Sequence, residues 1–291
     1  MSLEPEQVFE QHRAHLRGVA YRMIGSLSEA EDVLQEAFLR WRGVAEPVSN
    51  PRGYLSVLVT RLCIDWLKSA RARRETYIGT WLPEPVVDAS AVQLDSPSEL
   101  AEDISVALLL ALERLSPLER AAFLLHDVFD VDYAAIAPVL ARSEEACRKL
   151  AARARAHVRG GGPRYRPTDE ESQRLLQAFV AATRGNTRVL EDVLAEDAVL
   201  YSDGGGRVTA ALKPIFGRSN ILRFLAGIAR KNAGTPTLEA STAAVNGLPG
   251  LVLSSEGHVV QTLAFEFDDH GILRAIFGVR NPEKLAHVSL H

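Results

Sequence analysis

Apolar residues recur every three or four positions through the first half of the chain, then every second position through much of the rest. That pattern predicts a helical half followed by a mixed one. Val8, Phe9, His12, Leu16, Val19, Met23 and Ile24 mark one face of a first helix, which breaks at Gly25. Ser28 and Glu31 have the spacing of a capping box opening a second helix, whose face is Ala30, Val33, Leu34, Ala37, Phe38 and Trp41. A polar loop over 43–50 leads to Pro51, suited to the first turn of a third helix carrying Tyr54, Leu55, Leu58, Leu62 and Trp66. The basic run Lys68, Arg71, Arg73 and Arg74 ends this three-helix module.

A second helical block starts near Ile104. Ser116, Pro117 and Glu119 combine an N-cap, an N1 proline and a capping box, and the helix they open holds Ala122, Phe123, Leu125 and Val128. Asp132 is placed to cap a short helix over Tyr133–Leu140, and Ser143 to open the next, basic one. A short helix, a tight turn and a basic helix form the layout of a helix-turn-helix. Gly160-Gly161-Gly162-Pro163 then marks a boundary. Beyond it Thr168 and Glu171 cap a helix with Leu175, Leu176, Phe179 and Val180, and a short helix holds Val189, Leu190, Val193 and Leu194. Strands are expected over 198–202, 208–213, 238–246, 250–254, 259–267 and 272–279, with a helix over 219–231 between them. Hairpin turns are expected at Asp203-Gly204 and Asp269-His270-Gly271. This is an α+β domain whose mostly antiparallel sheet would curl around a pocket.

At 291 residues, 47% hydrophobic and 24% charged, the chain has the composition of an ordinary soluble protein of two or three domains. The net charge of −4 hides an uneven distribution. Between Arg142 and Arg166 lie Arg142, Arg148, Lys149, Arg153, Arg155, Arg159, Arg164 and Arg166, against only Glu144 and Glu145, which makes a basic patch fit for nucleic acid. Cys63 and Cys147 sit inside helical patterns without metal-ligand spacing, in keeping with buried thiols in a reducing cytoplasm. The acidic start has no apolar core of a signal peptide, and the longest apolar run, 106–112, is too short to cross a bilayer. A cytoplasmic protein with no membrane partner is expected. His12 and His15 are three apart with no carboxylate partner, so no metal or cofactor is expected.

From Glu75 to Glu113 there is no Lys or Arg, while Glu75, Glu84, Asp88, Asp95, Glu99, Glu102, Asp103 and Glu113 accumulate. Acidic groups near phosphate weaken binding, so this linker is expected to stay off nucleic acid. It opens with Tyr77-Ile78-Gly79-Thr80-Trp81-Leu82-Pro83-Glu84-Pro85, too apolar and too stiff for a random spacer. A linker that buries Trp81 needs a docking surface.

Residues 5–158 resemble a bacterial extracytoplasmic-function sigma factor, the small class that keeps only sigma regions two and four. The first match is Ala20-Tyr21-Arg22-Met23-Ile24-Gly25 with Ala30-Glu31-Asp32-Val33-Leu34-Gln35-Glu36-Ala37-Phe38-Leu39-Arg40-Trp41. The second runs from Leu115-Ser116-Pro117-Leu118-Glu119-Arg120 to Ala151-Ala152-Arg153-Ala154-Arg155. The linker motif, Asp203-Gly204-Gly205-Gly206-Arg207 and Asn281-Pro282-Glu283-Lys284-Leu285 are similar to three marks of the SigJ type, which carries a SnoaL-like (NTF2-like) C-terminal extension. There the usual forms end in Lys where Arg207 stands and have Asp where Glu283 stands, both like-charge departures. The resemblance implies region two over 5–75, the linker over 76–103, region four over 104–159 and the SnoaL-like domain over 166–288.

The same resemblance implies a non-enzymatic protein that binds the RNA polymerase core and double-stranded and melted promoter DNA. Asp32, Gln35, Glu36 and Leu39 are assigned to polymerase, although Leu34, Phe38 and Trp41 nearby are equally plain core residues. Asn50 and Arg52 stand at the opening of the third helix, beside a loop over Glu46–Asn50 that is a base-capturing loop or an ordinary connector. Arg61, Lys68, Arg71, Arg73 and Arg74 are phosphate contacts or solubilising cations. In the basic helix Cys147, Leu150, Ala151 and Ala154 share an inward face. That leaves Arg142, Ser143, Glu144, Arg148, Lys149 and Arg153 for DNA, with Arg155 on phosphate. The turn at 203–207 is an anion nest or a bend needing positive φ, with a contact role added by the resemblance. Trp81, Leu82, Pro83, Glu84 and Pro85 are expected to dock on Asp203–Arg207 and on Asn281, Pro282, Glu283, Lys284 and Leu285, fixing how the two promoter-reading modules are held. Two alternatives concern the C-terminal domain: a small-ligand sensor, or an enzyme like the ketosteroid isomerases and polyketide cyclases using Asp203, Glu266 or Asp268.

Overall fold

The computed structural model describes residues 4–44, 48–75, 77–87, 106–158, 169–183, 186–231 and 238–289, and it divides into two compact units. The first is all helical. Helix α1 (Pro5–Ile24) ends where Gly25 turns left-handed and returns its N–H to the Tyr21 carbonyl. Helix α2 (Leu27–Arg42) is capped by Ser26, whose side chain accepts from the Glu29 N–H. The cap therefore lies two residues before the expected Ser28–Glu31 pair, because Ser26-x-x-Glu29 offers the same box in a competing frame. Helix α3 (Pro51–Glu75) starts under Asn50, whose Oδ1 accepts from the Gly53 N–H at 3.0 Å. The three helices close over Phe9, Leu16, Met23, Leu34, Ala37, Leu55 and Val59, all fully buried. The Trp41 indole N–H donates to the Pro5 carbonyl at 2.7 Å, tying the last turn of α2 to the start of α1.

The same unit continues with α4 (Val106–Glu113) and α5 (Pro117–Phe123), the latter opened by the complete Ser116/Glu119 capping box. The pattern predicts one helix through Val128. Instead α5 gives way to a π-helical turn, Leu124–Val128, which leads into α6 (Tyr133–Leu140) and α7 (Glu144–Val158). Asp132 stands at the N-cap of α6 without a side-chain cap bond, and Ala141 closes α6 in the left-handed region.

The two helical modules are joined by reciprocal arginines. Arg120 of α5, 3% exposed, donates to the carbonyls of Leu112 and Met23, the second at the end of α1, and pairs with Glu113 at 2.8 Å. In the other direction Arg61 of α3 reaches the carbonyls of Pro138 (2.7 Å) and Val139 near the end of α6. Each module thus supplies a cation to a helix C-terminus of the other, where the dipole is negative.

The second unit is α+β. Helix α8 (Asp169–Thr183) and a 3-10 turn (Thr187–Leu190) precede β1 (Leu194–Asp203), β2 (Ile215–Phe216), α9 (Arg218–Lys231), β3 (Glu239–Val245), β4 (Leu248–Ser255), β5 (His258–Phe267), β6 (Leu273–Val279) and α10 (Pro282–Leu285). The sheet order is β2-β1-β6-β5-β4-β3. Strands β3 to β6 form an antiparallel meander, and β1 runs parallel to β6 with Asp203 opposite Val279. Two helical modules followed by an α+β domain are the fold class expected from the sequence. Leu175, Phe179, Leu200, Leu225, Leu263, Phe265 and Ile276 fill the space between helices and sheet.

Two details of this unit differ from expectation. Residues 208–213 form no strand; the partner of β1 is the two-residue β2. The Asp203-Gly204 turn is therefore not a two-residue hairpin, since the chain runs on to Ile215 before returning. The unexpected hairpins are at Asn246-Gly247 and Glu256-Gly257, where both residues of each pair have positive φ, as the twist-matched two-residue turn requires. The Gly160–Pro163 boundary, the Thr168 cap and most of the acidic linker lie outside the described residues.

Candidate functional site

On α2, Asp32, Gln35, Glu36 and Leu39 are all exposed while Val33, Leu34 and Ala37 are buried. Their spacing of three, four and seven residues puts them in one stripe. Leu39 is 61% exposed, a large apolar side chain beside the Glu36–Arg40 pair. A mixed apolar and acidic stripe of this kind suits a protein partner.

On α3, Arg52 is exposed and its guanidinium donates to His15 Nδ1 at 3.3 Å, while Lys68 pairs with Asp65 at 3.0 Å. Arg61 is exposed but engaged by the α6 carbonyls. The side chains of Arg71, Arg73 and Arg74 lie outside the described residues.

Helix α7 buries Cys147, Leu150, Ala151 and Ala154 and leaves Arg142, Ser143, Glu144, Arg148, Lys149 and Arg153 exposed. Its N-terminus is capped by Ser143, which accepts from the Ala146 N–H at 3.2 Å. The exposed cations are paired: Arg148 with Glu144 (2.8 Å), Lys149 with Glu145 (2.6 Å) and Arg153 with Glu119 (3.4 Å). Exposed pairs of this kind are weak and exchange readily for phosphate or base acceptors. Arg155 is held differently. It donates to Asp127 at 2.6 Å and to the Tyr133 hydroxyl at 2.9 Å, and the Asp127 bond raises its pKa further.

The densest polar cluster lies in the C-terminal unit, where the linker residues Tyr77–Val87 pack with the sheet. Leu200 faces the helices, so strand alternation turns Asp203 to the opposite face. Its carboxylate, fully buried, accepts from the Tyr77 hydroxyl (2.6 Å), the Leu82 N–H (2.9 Å), Lys284 Nζ (2.8 Å) and the Gly205 N–H (3.0 Å). Lys284 Nζ also donates to the Leu82 carbonyl and sits over the rings of Trp81 (4.2 Å) and Tyr77 (5.0 Å). Both backbone groups of Leu82 are thus satisfied by one buried ion pair. Asn281 caps α10 and donates to the Tyr77 hydroxyl at 3.1 Å. Burial, reinforced by the Asp203 hydrogen bond, pushes the Tyr77 phenol well above its ordinary value.

The glycines of the turn are demanded by this packing. Gly205 has φ +59, and a Cβ there would lie 2.3 Å from Asn281 Nδ2. Leu82, Pro83, Glu84 and Pro85 are buried, while Trp81 is half-buried. Arg207 and Glu283, the two positions that depart from the usual motif forms, pair with each other at 2.7 Å.

Several contributors escape the sequence. The Asn246 side chain accepts from the Val86 N–H (3.2 Å) and its own N–H donates to the Val86 carbonyl (2.8 Å), while Val87 bridges to Val245. His287 donates to the Pro85 carbonyl at 2.8 Å. Asn246-Gly247 was a visible turn signal, and Tyr77 opens the motif. Asp127 and Tyr133 carried no signal of their own. Among the described residues no cluster could hold a metal ion, and no helix is long and apolar enough to cross a membrane.

The family model for Sigma-70 region 2 matches residues 8–73, and that for Sigma-70 region 4 matches 105–158. The chain is similar to the ECF RNA polymerase sigma factor SigJ of Mycobacterium tuberculosis (strain ATCC 25618 / H37Rv), 41% identical over 234 residues, which is 77% of this chain and 72% of the relative. It is also similar to a probable ECF RNA polymerase sigma factor SigI of Mycobacterium tuberculosis, 36% identical over 189 residues, covering 63% and 64%. Among solved structures, the crystal structure of the Mycobacterium tuberculosis extracytoplasmic function sigma factor SigJ superposes with a TM-score of 0.71 at 33% identity, covering 96% of this chain and 97% of that one.

Proposed function

The chain belongs to the extracytoplasmic-function RNA polymerase sigma factors, and from that membership we propose how its residues direct promoter-specific initiation. The exposed stripe Asp32, Gln35, Glu36 and Leu39 docks on the polymerase core. Asn50 and Arg52, with Arg61, Lys68, Arg71, Arg73 and Arg74, hold melted and duplex DNA beside the first module. Arg142, Ser143, Glu144, Arg148, Lys149 and Arg153 face the major groove of the upstream element. Residues at the start of a recognition helix reach base edges, and arginine is the usual guanine reader. One observation carries this reading: α7 buries Cys147, Leu150, Ala151 and Ala154 and leaves Arg148, Lys149 and Arg153 exposed.

The C-terminal domain regulates this activity by holding the linker through Asp203, Asn281 and Lys284. No observation favours an enzyme or ligand sensor there. Asp203 is committed to Lys284 and the linker, and Asp268 to the backbone N–H groups of His270 and Ile272 in its own hairpin.

Run-off transcription with purified core polymerase tests the assignment. The full chain should start transcripts from a defined position on promoters selected from a genomic pool. Asp32→Lys should abolish co-purification with polymerase at unchanged melting temperature. Normal co-purification of that variant would remove the α2 assignment.

A further inference from the structure

Tyr133 opens the first helix of the helix-turn-helix, and three side chains from elsewhere converge on it. His126 packs against it with centroids 3.9 Å apart. The Arg148 guanidinium lies over it at 5.4 Å. The hydroxyl accepts from Arg155, which is anchored in turn by Asp127 of the π-helical turn. His126 is itself fixed, its Nδ1 bonded to the Val131 carbonyl at 3.0 Å. The ring is therefore held both at its face and at its hydroxyl, and it connects α6 to the exposed side of α7.

We propose that Tyr133 is a positioning residue for promoter discrimination, acting through Arg148. The proposal rests on the reading of Arg148 as a base contact. A guanidinium held over an aromatic face is attracted to the ring as a cation and needs no hydrogen-bond acceptor there, so its N–H donors remain available to other groups. The in-plane edge stays open for the O6 and N7 acceptors of a guanine. The Glu144 pair, by contrast, uses one of those donors and is the contact that DNA displaces. Without the platform Arg148 becomes a free, rotamer-rich side chain, and the bidentate geometry that carries discrimination must be assembled at the moment of binding.

The test uses the full chain and two duplexes of equal length: one selected from a randomised pool, one scrambled. Discrimination is the ratio of their dissociation constants at fixed salt. Arg148→Ala should lower it roughly ten- to a hundredfold, and Tyr133→Leu at least about fivefold, within the range set by Arg148→Ala. Tyr133→Phe keeps the ring and should stay within about twofold of the parent. In an Arg148→Ala background, Tyr133→Leu should cost nothing further, since a residue acting through another has no effect once that other is gone. The Arg148 Nε–H resonance, displaced by the ring current, should move toward its random-coil position in Tyr133→Leu and not in Tyr133→Phe. If Tyr133→Leu does not fold, Tyr133→Gln takes its place in the same cycle. Equal weakening on both duplexes, or a full additional loss in the Arg148→Ala background, would overturn the positioning role while leaving the base contact standing. Unchanged discrimination in Arg148→Ala removes the base contact itself, and the proposal with it.

Discussion

The carboxylate of Asp203 accepts a hydrogen bond from the backbone N–H of Leu82 at 2.9 Å, across 121 residues of chain. Lys284 completes the arrangement by bonding both the same carboxylate and the Leu82 carbonyl. Removing one member of a buried ion pair leaves the other uncompensated, at a cost of about 3–5 kcal/mol. Lys284→Ala should therefore lower the stability of the C-terminal domain by that order or release the linker, read as increased solvent quenching of Trp81 fluorescence. Asp203→Leu combined with Lys284→Met should recover part of the stability but not the linker contact.

The reciprocal arginines make unequal contributions. Arg120 is buried and serves two carbonyls and a carboxylate, so Arg120→Met should destabilise the helical unit by about 2–4 kcal/mol. Arg61 is exposed, and Arg61→Ala should cost under about 1 kcal/mol while reducing the salt slope of promoter binding by about one. Urea melts followed by circular dichroism, paired with binding at several salt concentrations, separate the two. A large stability loss in Arg61→Ala with no change in salt slope would make it a structural residue only.

Glu119 couples the α5 cap to pH. Its hydrogen bond from Ser116 is the largest influence and holds its carboxyl below the usual glutamate range. A depressed folded-state pKa gives stability that is present above the ordinary value of about 4.3 and lost as pH falls through the lowered one. Glu119→Gln should thus be less stable than the parent by about 1 kcal/mol at pH 7. The difference should shrink as pH drops below about 4. A pH-independent difference would assign the loss to packing.

How much of this was legible follows from how local each feature is. The helices of the first unit announce themselves through three-four spacing and caps; the exceptions are the frame of the Ser26/Ser28 cap, the π-helical turn after α5 and the missing side-chain cap bond of Asp132. The stretch 208–213 imitates a strand because Val208, Ala210 and Leu212 alternate. Yet Leu212 is 64% exposed, and the Thr209 carbonyl accepts from Arg280 rather than from a neighbouring strand. The linker motif signalled a dock, since Trp-Leu-Pro needs burial. The role of Tyr133 was not legible. It is built from residues 126, 127, 148 and 155, gathered by a π-helical turn that no periodicity foretells.

Ala141 adopts φ 51 and ψ 49 at the turn between α6 and α7. A side chain with a Cβ is strained there, by about 1–2 kcal/mol. Glycine relieves that strain but loses more chain entropy on folding. Ala141→Gly should raise stability by about 0.5–1 kcal/mol with promoter binding unchanged, measured by thermal melting and by duplex titration. A lower melting temperature would mean the turn is held by contacts that the methyl group makes.

The regulatory role of the dock is tested most directly by run-off transcription on one selected promoter with four proteins. These are the full chain, Trp81→Ala, a chain ending at Arg280 and a chain ending at Gly160. Loss of the Trp81 ring removes one wall of the Lys284 cage, and loss of Asn281 onward removes the lysine itself, so both free the linker while leaving the sheet in place. Those two proteins should match each other in transcript yield and differ from both the full chain and the chain ending at Gly160. Trp81→Ala behaving as the full chain does, with the two truncations giving one and the same yield, would contradict regulation through the docked linker.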